Sequence, residues 1–266
     1  MKVVLFCGGL GTRLREYSET IPKPMVEIGY RPILWHVMKY YAYYGHKDFI
    51  LCLGYKSDVI KNYFLNYNEC LSNNFVLSNG CKEVKLLNTD IDDWRITFVD
   101  TGLHSNIGQR LRAIEEYLEG EEVFLANYSD GLSDAPLPDL IDYFLTSGKT
   151  ASFLSVKPTQ SFHVVSLDED GEVAAIRHIS NSGIWINGGF FVFRKAIFRY
   201  INDHEELVNE PFQRLIERGK LTTYKHKGFW VSMDTFKDKQ LLDDMCSRGE
   251  TPWEVWKNSD RRECAP

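Results

Sequence analysis

Predicted strands and helices alternate along the first 156 residues, and this alternation constrains the fold more than any other feature. Short apolar and β-branched runs, typical of buried strands, occur at residues 2–7, 48–53, 94–99, 122–128 and 151–156. Apolar side chains recur at helical spacing at residues 33–41, 58–65, 111–118 and 140–145. Because strands joined through helices run parallel by right-handed crossovers, the sequence predicts an α/β fold of Rossmann-like type, with a mostly parallel sheet and helices on both faces.

The pattern changes after residue 158 to short alternating segments, which predicts a smaller β-rich subdomain. A turn at residues 168–171 separates two of these segments. Residues 66–93 are polar and weakly periodic, so we expect an insertion that includes a hairpin. We predict one domain over residues 1–257. It has an α/β part at residues 1–157, a β-rich part at 158–235 and a C-terminal helix at 236–247. A charged tail follows at residues 258–266.

Composition and charge exclude several classes of protein. The 266 residues include 31 Lys and Arg against 37 Asp and Glu, a net charge of −6, which argues against a nucleic-acid-binding surface spread over the whole chain. No apolar run reaches the roughly 18 residues of a membrane span, and the first apolar stretch is too short for a signal peptide. We therefore expect a cytoplasmic protein that binds neither nucleic acid nor membrane.

The six cysteines are scattered and show no C-x-x-C spacing of the kind that zinc or redox sites use. Free cysteine inside an apolar run behaves as a small hydrophobic residue. We expect reduced thiols at Cys7, Cys52, Cys70, Cys81, Cys246 and Cys264.

A glycine-rich loop with the sequence GGLGTRL follows the first predicted strand, at residues 8–14. Glycines let backbone N–H groups approach phosphate oxygens without a Cβ in the way. The loop fits neither G-x-G-x-x-G nor the Walker A pattern. Arg13 adds a guanidinium suited to polyphosphate, and Lys23 is held between two prolines. The alternative is a tight turn with solvated cations, but the three features together predict a phosphate site.

Two aspartates stand where predicted strands end. Asp130 follows the strand at 122–128, and Asp234 follows the segment at 229–233. Open α/β sheets bind ligands at the carboxyl ends of their strands. Mg²⁺ usually takes one or two carboxylates together with phosphate oxygens. Each aspartate could instead be a helix cap or a turn residue.

The GGxGTRL loop followed by Pro22-Lys23-Pro24 resembles the signature of the sugar-phosphate nucleotidyltransferases, also called NDP-sugar pyrophosphorylases. Further segments resemble one branch of that family, the glucose-1-phosphate cytidylyltransferases. They lie at residues 25–29, 32–36, 54–56, 99–102, 186–192, 228–235 and 251–256, so the resemblance covers nearly all of residues 1–257.

This resemblance implies an enzyme that joins CTP to a phosphorylated small molecule and releases pyrophosphate. The attacking phosphate is already an anion, so catalysis needs positioning and electrostatic stabilisation rather than a strong base. The resemblance implies that Asp130 and Asp234 hold Mg²⁺ and that Arg13, Lys23 and Asp130 are catalytic. It places the acceptor against Asn187 and Gly188. The implied nucleotide-binding residues are Gly8, Gly9, Gly11, Thr12, Arg13, Lys23, Gly54, Tyr55, Gly108 and Arg110. The alternative for the last four is structural: Gly54 and Gly108 would be turn glycines, with Tyr55 beside the first, and Arg110 would be a surface arginine.

The chain departs from the family pattern on the acceptor side. The family has Glu-Lys-Pro before its Asn-Gly-Gly segment, and its lysine contacts the sugar phosphate. In this chain the corresponding stretch is IRHIS at residues 176–180, in which an isoleucine stands where the family has its lysine. Upstream, where the family has Gly-Arg-Phe-Gly, this chain has QSFH at residues 160–163. A charge-assisted hydrogen bond to phosphate is worth roughly 1.5–3 kcal/mol, which an isoleucine cannot supply.

Two explanations follow from the missing cations. Other side chains bind the acceptor, the candidates being Lys157, His163, Arg177 and His178, or the acceptor is not glucose 1-phosphate. We favour a different phosphorylated or phosphonate acceptor, although an insertion or deletion that shifts the correspondence is the alternative.

Rival functions remain open at the level of the sequence. One is a glucose-1-phosphate cytidylyltransferase proper, and another is a catalytically silent nucleotide-sensing protein. Transfer from UTP or dTTP is a third, because spacing does not reveal which base is bound. The family also implies a homo-oligomer, for which the aromatic-rich segments 40–44 and 253–256 are candidate contacts.

Overall fold

The computed structural model describes residues 1–9, 21–159 and 161–257. Its strands are β1 (Val3–Phe6), β2 (Glu27–Ile28), β3 (Arg31–Pro32), β4 (Asp48–Leu53), β5 (Phe75–Ser78), β6 (Glu83–Leu86), β7 (Arg95–Asp100), β8 (Val123–Tyr128), β9 (Gly131–Ser133), β10 (Ala151–Val156), β11 (His163–Leu167), β12 (Val173–His178), β13 (Ile186–Asn187), β14 (Phe191–Arg194), β15 (Leu221–Lys225) and β16 (Trp230–Ser232). Its helices are α1 (Ile33–Tyr43), α2 (Ser57–Leu65), α3 (Ile107–Ala113), α4 (Leu137–Ser147), α5 (Glu210–Glu217) and α6 (Phe236–Arg248).

Eight of the described strands form the central sheet, in the order β13-β10-β14-β8-β1-β4-β7, with β15 pairing with β10. Strand β1 lies between β8 and β4 and is parallel to both, and β7 continues the parallel arrangement beyond β4. Strand β14 is antiparallel to β8 and β10, and β13 is antiparallel to β10. The predicted mostly parallel α/β sheet is confirmed.

Apolar cores cover both faces of the sheet, so the central strand β1 is buried on both sides. Val3 and Leu5 point into a core with α1 and α4, whereas Val4 and Phe6 point into a second core with α3 and α5. Strands buried on both faces need continuous apolar sequence, and β1, VVLF, has it. Helices on both faces are thereby confirmed.

The expected insertion at residues 66–93 contains the antiparallel β5–β6 hairpin, as predicted. A buried ionic network attaches the insertion to β3 and to the middle of α1. The Asp90 carboxylate lies 3.7 Å from the guanidinium of Arg31 and 3.1 Å from the ammonium of Lys39. Because Arg31 is almost fully buried, these contacts fix the base of the insertion against the domain.

The β-rich part is largely continuous with the central sheet. Strands β13, β14 and β15 belong to that sheet, while the β11–β12 hairpin pairs only with itself among the described strands. Strand β14 lies inside the central sheet because its sequence is apolar: Phe191, Val192 and Phe193 are fully buried there. The helix expected at residues 194–201 is a 3₁₀ helix, Lys195–Tyr200, and those expected near 211–218 and 236–246 are α5 and α6.

Cys7 and Cys52 are free and buried, in keeping with the expected reduced thiols. Burial raises the pKa of the Cys7 thiol to about 12, so it stays neutral in the core. No described helix has both the length and the apolar character needed to cross a membrane.

Candidate active site

A short two-stranded ladder brings the two predicted metal aspartates together. Strands β9 and β16 pair antiparallel, with Gly131 opposite Ser232. Asp130 immediately precedes β9, and Asp234 follows β16 by two residues. The backbone N–H of Met233 donates to the Asp130 carbonyl at 2.9 Å, which extends the pairing to the aspartates themselves. Residues far apart in the sequence therefore present two carboxylates to one place.

Lys23 lies between these carboxylates. Its Nζ donates to Asp130 Oδ2 at 2.5 Å and to Asp234 Oδ1 at 2.9 Å. A 3₁₀ helix, Lys23–Met25, begins after Pro22 and carries Pro24 in its first turn, which restricts the backbone at the lysine. The side chain of Lys23 is 15% exposed. Burial alone lowers the pKa of its ammonium, but the attraction of Asp130 and Asp234 outweighs burial and raises that pKa above its usual value.

Gly8, which follows β1, and Gly54, which follows β4, are packed too closely for side chains. A Cβ on Gly54 would lie 2.8 Å from the carbonyl oxygen of Gly8, and one on Gly8 would lie 2.0 Å from the guanidinium of Arg110. These glycines therefore permit close contact between the ends of β1 and β4, in addition to the phosphate access expected from the sequence.

Arg110 connects the carboxyl ends of three parallel strands. It is only 2% exposed, which excludes the surface arginine considered from the sequence. Its guanidinium donates to the carbonyls of Gly8 and Leu53 at 3.0 Å each and to Thr101 Oγ1 at 2.7 Å. These acceptors follow or end β1, β4 and β7. Arg110 is thus a positioning residue whose side chain also lines the site.

These residues surround a cavity of about 350 Å³, the main cleft. Its lining includes the predicted site residues Gly8, Gly9, Lys23, Arg110, Asp130 and Asp234. The main cleft lies at the carboxyl edge of the parallel strands, where the sequence predicted ligand binding. Gly11, Thr12 and Arg13 lie outside the described residues.

Some predicted residues lie away from the main cleft. Gly54 and Tyr55 are behind the first loop, where the N–H of Tyr55 donates to the carbonyl of Gly8 at 3.5 Å. Gly108 packs against the backbone of Glu205, because a Cβ there would lie 2.3 Å from its carbonyl oxygen. Asn187 is next to the main cleft, with its Nδ2 3.5 Å from the hydroxyl of Tyr128.

Two of the four candidate acceptor cations lie together in a second cavity. This side cavity has a volume of about 320 Å³, and Lys157 and His178 line it. His163 lies across the β11–β12 hairpin from His178, with ring centroids 5.4 Å apart. Arg177 is exposed on β12, opposite Val164, and does not line the side cavity.

The sequence analysis missed several residues that line the main cleft. Tyr128 and Ser129 follow directly along β8, and Ser129 Oγ donates to the carbonyl of Phe6 at 2.9 Å. Burial raises the pKa of Tyr128 to about 12, so its hydroxyl stays neutral. Asn106 caps α3 and Glu206 enters from a distant loop. The strand-end rule that selected Asp130 applies equally to Tyr128 and Ser129, whereas no local pattern indicates Glu206.

Comparison with known proteins assigns the family. The profile of the nucleotidyl transferase family matches residues 2–244. The chain belongs to this family. It is 40% identical over 260 residues to the glucose-1-phosphate cytidylyltransferase of Salmonella typhi, a match that covers 97% of this chain and 100% of that enzyme. The mannose-1-phosphate guanyltransferase of Pichia angusta is 27% identical over 92% of this chain and 64% of its own.

Solved structures agree on the fold. HddC from Yersinia pseudotuberculosis superposes with a TM-score of 0.64 at 21% identity, covering 92% of this chain and 99% of that one. A second HddC structure, complexed with GMP-PN, gives the same TM-score at 22% identity. The resemblance predicted from the motifs is confirmed, and the protein is a nucleotidyltransferase enzyme.

Proposed function

We propose that this nucleotidyltransferase transfers the cytidylyl group of CTP to a phosphorylated or phosphonate small molecule, with release of pyrophosphate. The observation that carries the proposal is the Lys23 ammonium held between Asp130 and Asp234 at the carboxyl edge of the sheet. The identity to the Salmonella typhi cytidylyltransferase, which extends over its whole length, supports CTP as the nucleotide.

The proposed reaction is a displacement at the α-phosphorus of CTP. An anionic oxygen of the acceptor forms a bond to that phosphorus, and the bond to the oxygen that bridges to the β-phosphorus breaks. Pyrophosphate leaves with the electron pair. The nucleophile carries its charge already, so the protein needs no base but must hold anions together in line. Lys23, kept protonated by its carboxylate neighbours, supplies positive charge in the main cleft.

The donor set fits a magnesium ion. Asp130 and Asp234 contact the same ammonium, so their carboxylates are near enough to share one ion. No group of three or more His, Cys, Asp or Glu side chains suited to a metal occurs in the described part of the chain. Two carboxylates completed by phosphate oxygens and water are a usual set for Mg²⁺. Asp130 and Asp234 would hold the ion, which would offset the charge of the leaving pyrophosphate.

We propose that the acceptor differs from plain glucose 1-phosphate. In the resemblance to the family, an isoleucine stands where the family has the lysine that contacts the sugar phosphate. Two nearby candidates, Lys157 and His178, line the side cavity. The rival is glucose-1-phosphate cytidylyltransferase activity, which the 40% identity favours. The two differ in which acceptor is used with the higher kcat/KM.

Pyrophosphate release tests the proposal. The full chain is incubated with Mg²⁺, one of CTP, UTP, dTTP or GTP, and a panel of sugar phosphates, other phosphomonoesters and phosphonates. We expect release with CTP, at a rate set by the acceptor, and release at least about 10²-fold slower from Asp130→Asn. Binding of CTP with no release for any acceptor would contradict the proposal and favour the nucleotide-sensing alternative.

A further inference from the structure

The side cavity carries more positive charge than its surroundings explain. Its charged and titratable lining consists of Lys157, His178, His226 and Lys227, and Trp230 forms one wall. No acidic residue is present among the described residues that line it. The whole chain has a net charge of −6, so the basic lining of this cavity is opposite in sign to the charge of the chain.

The lysines of the side cavity have no carboxylate partners. Neither Lys157 nor Lys227 forms an ion pair with any residue that the structure describes, whereas Lys23, Lys39 and Lys47 each do. The ammonium of Lys157 lies 4.6 Å from the ring centroid of Trp185, a cation–π contact that places the charge without neutralising it. Two unpaired ammonium groups beside a cavity of this kind favour an anionic ligand.

The two histidines have different surroundings. His226 Nε2 is 2.8 Å from Asp134 Oδ1, so this ring is engaged with a carboxylate. His178 Nδ1 is 2.8 Å from Ser180 Oγ, which leaves Nε2 as the nitrogen that can face a ligand. His178 can therefore donate a hydrogen bond to an anion from that nitrogen, beside the two lysines.

The side cavity is placed for the far end of an acceptor. Trp230 lines the side cavity and Asp234 lines the main cleft, and four residues of extended chain span about 13 Å. Asn187 and Gly188 also connect the two cavities: the Asn187 amide is 3.5 Å from the hydroxyl of Tyr128 in the main cleft, and the Gly188 carbonyl accepts from the Trp230 indole of the side cavity at 2.8 Å. A molecule of hexose size could thus react at one cavity and reach the other.

We propose that the acceptor carries a second anionic group, a carboxylate or a phosphate, which binds in the side cavity to Lys157, His178 and Lys227. This inference rests on the proposed cytidylyl transfer. It specifies the substrate class as a small molecule with the reacting phosphate at one end and another anion several bonds away.

Calorimetric binding with matched ligands tests this proposal. The full chain is saturated with Mg²⁺ and α,β-methylene CTP, then titrated with glucose 1-phosphate, glucuronic acid 1-phosphate or glucose 1,6-bisphosphate. We expect at least one of the two ligands that carry a second anionic group to bind about tenfold or more tightly than glucose 1-phosphate. Which of them does so distinguishes a carboxylate from a phosphate. The shorter pair, glycerol 3-phosphate and 3-phosphoglycerate, should show no such difference.

Variants assign the effect to the side cavity. Lys157→Gln and Lys227→Gln should reduce the tenfold advantage over glucose 1-phosphate to less than threefold, each ratio being taken within the same variant. Lys85→Gln, an exposed lysine on the β5–β6 hairpin, is the matched control and should change nothing. Equal affinity for the three hexose ligands, or an advantage that persists in both variants, would overturn the inference.

A parallel turnover assay separates this inference from the proposed function. Pyrophosphate release from CTP with all three hexose ligands at equal kcat/KM would support cytidylyl transfer and overturn the second anion. The binding advantage without pyrophosphate release from any ligand would instead contradict cytidylyl transfer while supporting the anion site.

Discussion

In the main cleft the positive charge of Lys23 is paired with two carboxylates and largely buried, whereas the half-buried Lys157 and the exposed Lys227 of the side cavity have no carboxylate partner among the described residues. A buried cation without a partner is costly, so the main cleft balances its charge within the protein. In the side cavity the exposed Lys227 loses less hydration, so its positive charge stays available to a ligand. Under the proposed function, the protein balances the charge of the nucleotide site before binding, while the substrate completes the acceptor site.

The largest expected effect comes from unbalancing the main cleft. Asp130→Asn removes one of the two carboxylates that hold Lys23 and that are proposed to bind Mg²⁺. We expect kcat to fall by a factor of about 10² to 10³, as for removal of one group that stabilises charge in a transition state. Steady-state pyrophosphate release measures the fall in kcat. The control is Asp139→Asn, a substitution at an exposed position on α4. A loss below threefold would show that Asp130 is not part of the catalytic set.

The next effect tests the structural basis of the main cleft. Arg110→Met removes four hydrogen bonds from a buried guanidinium and leaves the carbonyls of Gly8, Leu53 and Leu103 without that donor. We expect the free energy of unfolding to fall by about 3 kcal/mol, measured by urea denaturation.

Arg112→Met is the matched control for Arg110→Met. Arg112 is partly exposed and only 3.8 Å from the exposed Asp203, a surface ion pair worth less than about 1 kcal/mol. Equal destabilisation by the two substitutions would contradict the role of Arg110 in connecting β1, β4 and β7.

A third prediction concerns the close contact between the loops after β1 and β4. In Gly54→Ala the new Cβ would lie 2.8 Å from the Gly8 carbonyl, so the first loop must shift. We expect about 1–3 kcal/mol of destabilisation and a raised KM for CTP. Gly131→Ala is the control, because its nearest contact would be an ordinary 3.8 Å. An unchanged KM in Gly54→Ala would show that nucleotide binding does not depend on this contact.

The smallest effect is in the pH dependence. The pKa of Lys23 is raised, so its charge and its ion pairs persist below the usual lysine pKa and are lost only as the pH rises through the higher folded value. We expect kcat/KM to stay roughly constant from pH 7.5 to 9.5. In Asp234→Asn, which lacks one attractive carboxylate, the alkaline decline should begin at lower pH. An identical profile in the two proteins would contradict this electrostatic coupling.

Local signals in the sequence selected several residues that the structure places around the main cleft. The glycine loop adjoins β1, Lys23 is braced by neighbouring prolines, and the strand-end rule selected Asp130 and Asp234. The structure brings the described members of this set into one cleft because β9 and β16 pair. The roles assigned to these residues remain predictions until the activity is measured.

Properties set by distant contacts were not predictable. The burial of Arg110 depends on three strand ends that meet only in the folded sheet, and nothing in its neighbours indicates this. The joining of β14 to β8 depends on strand order, which periodicity does not encode. The grouping of Lys157 with Lys227 arises because β10 and β15 are neighbours in the sheet, although they are far apart in the chain.

The most direct test of the central claim is a crystal structure of the chain soaked with CTP and Mg²⁺. We expect the triphosphate in the main cleft against Gly8 and Gly9, with one ion bound by Asp130 and Asp234. A nucleotide bound elsewhere, or an ion that contacts neither aspartate, would contradict it.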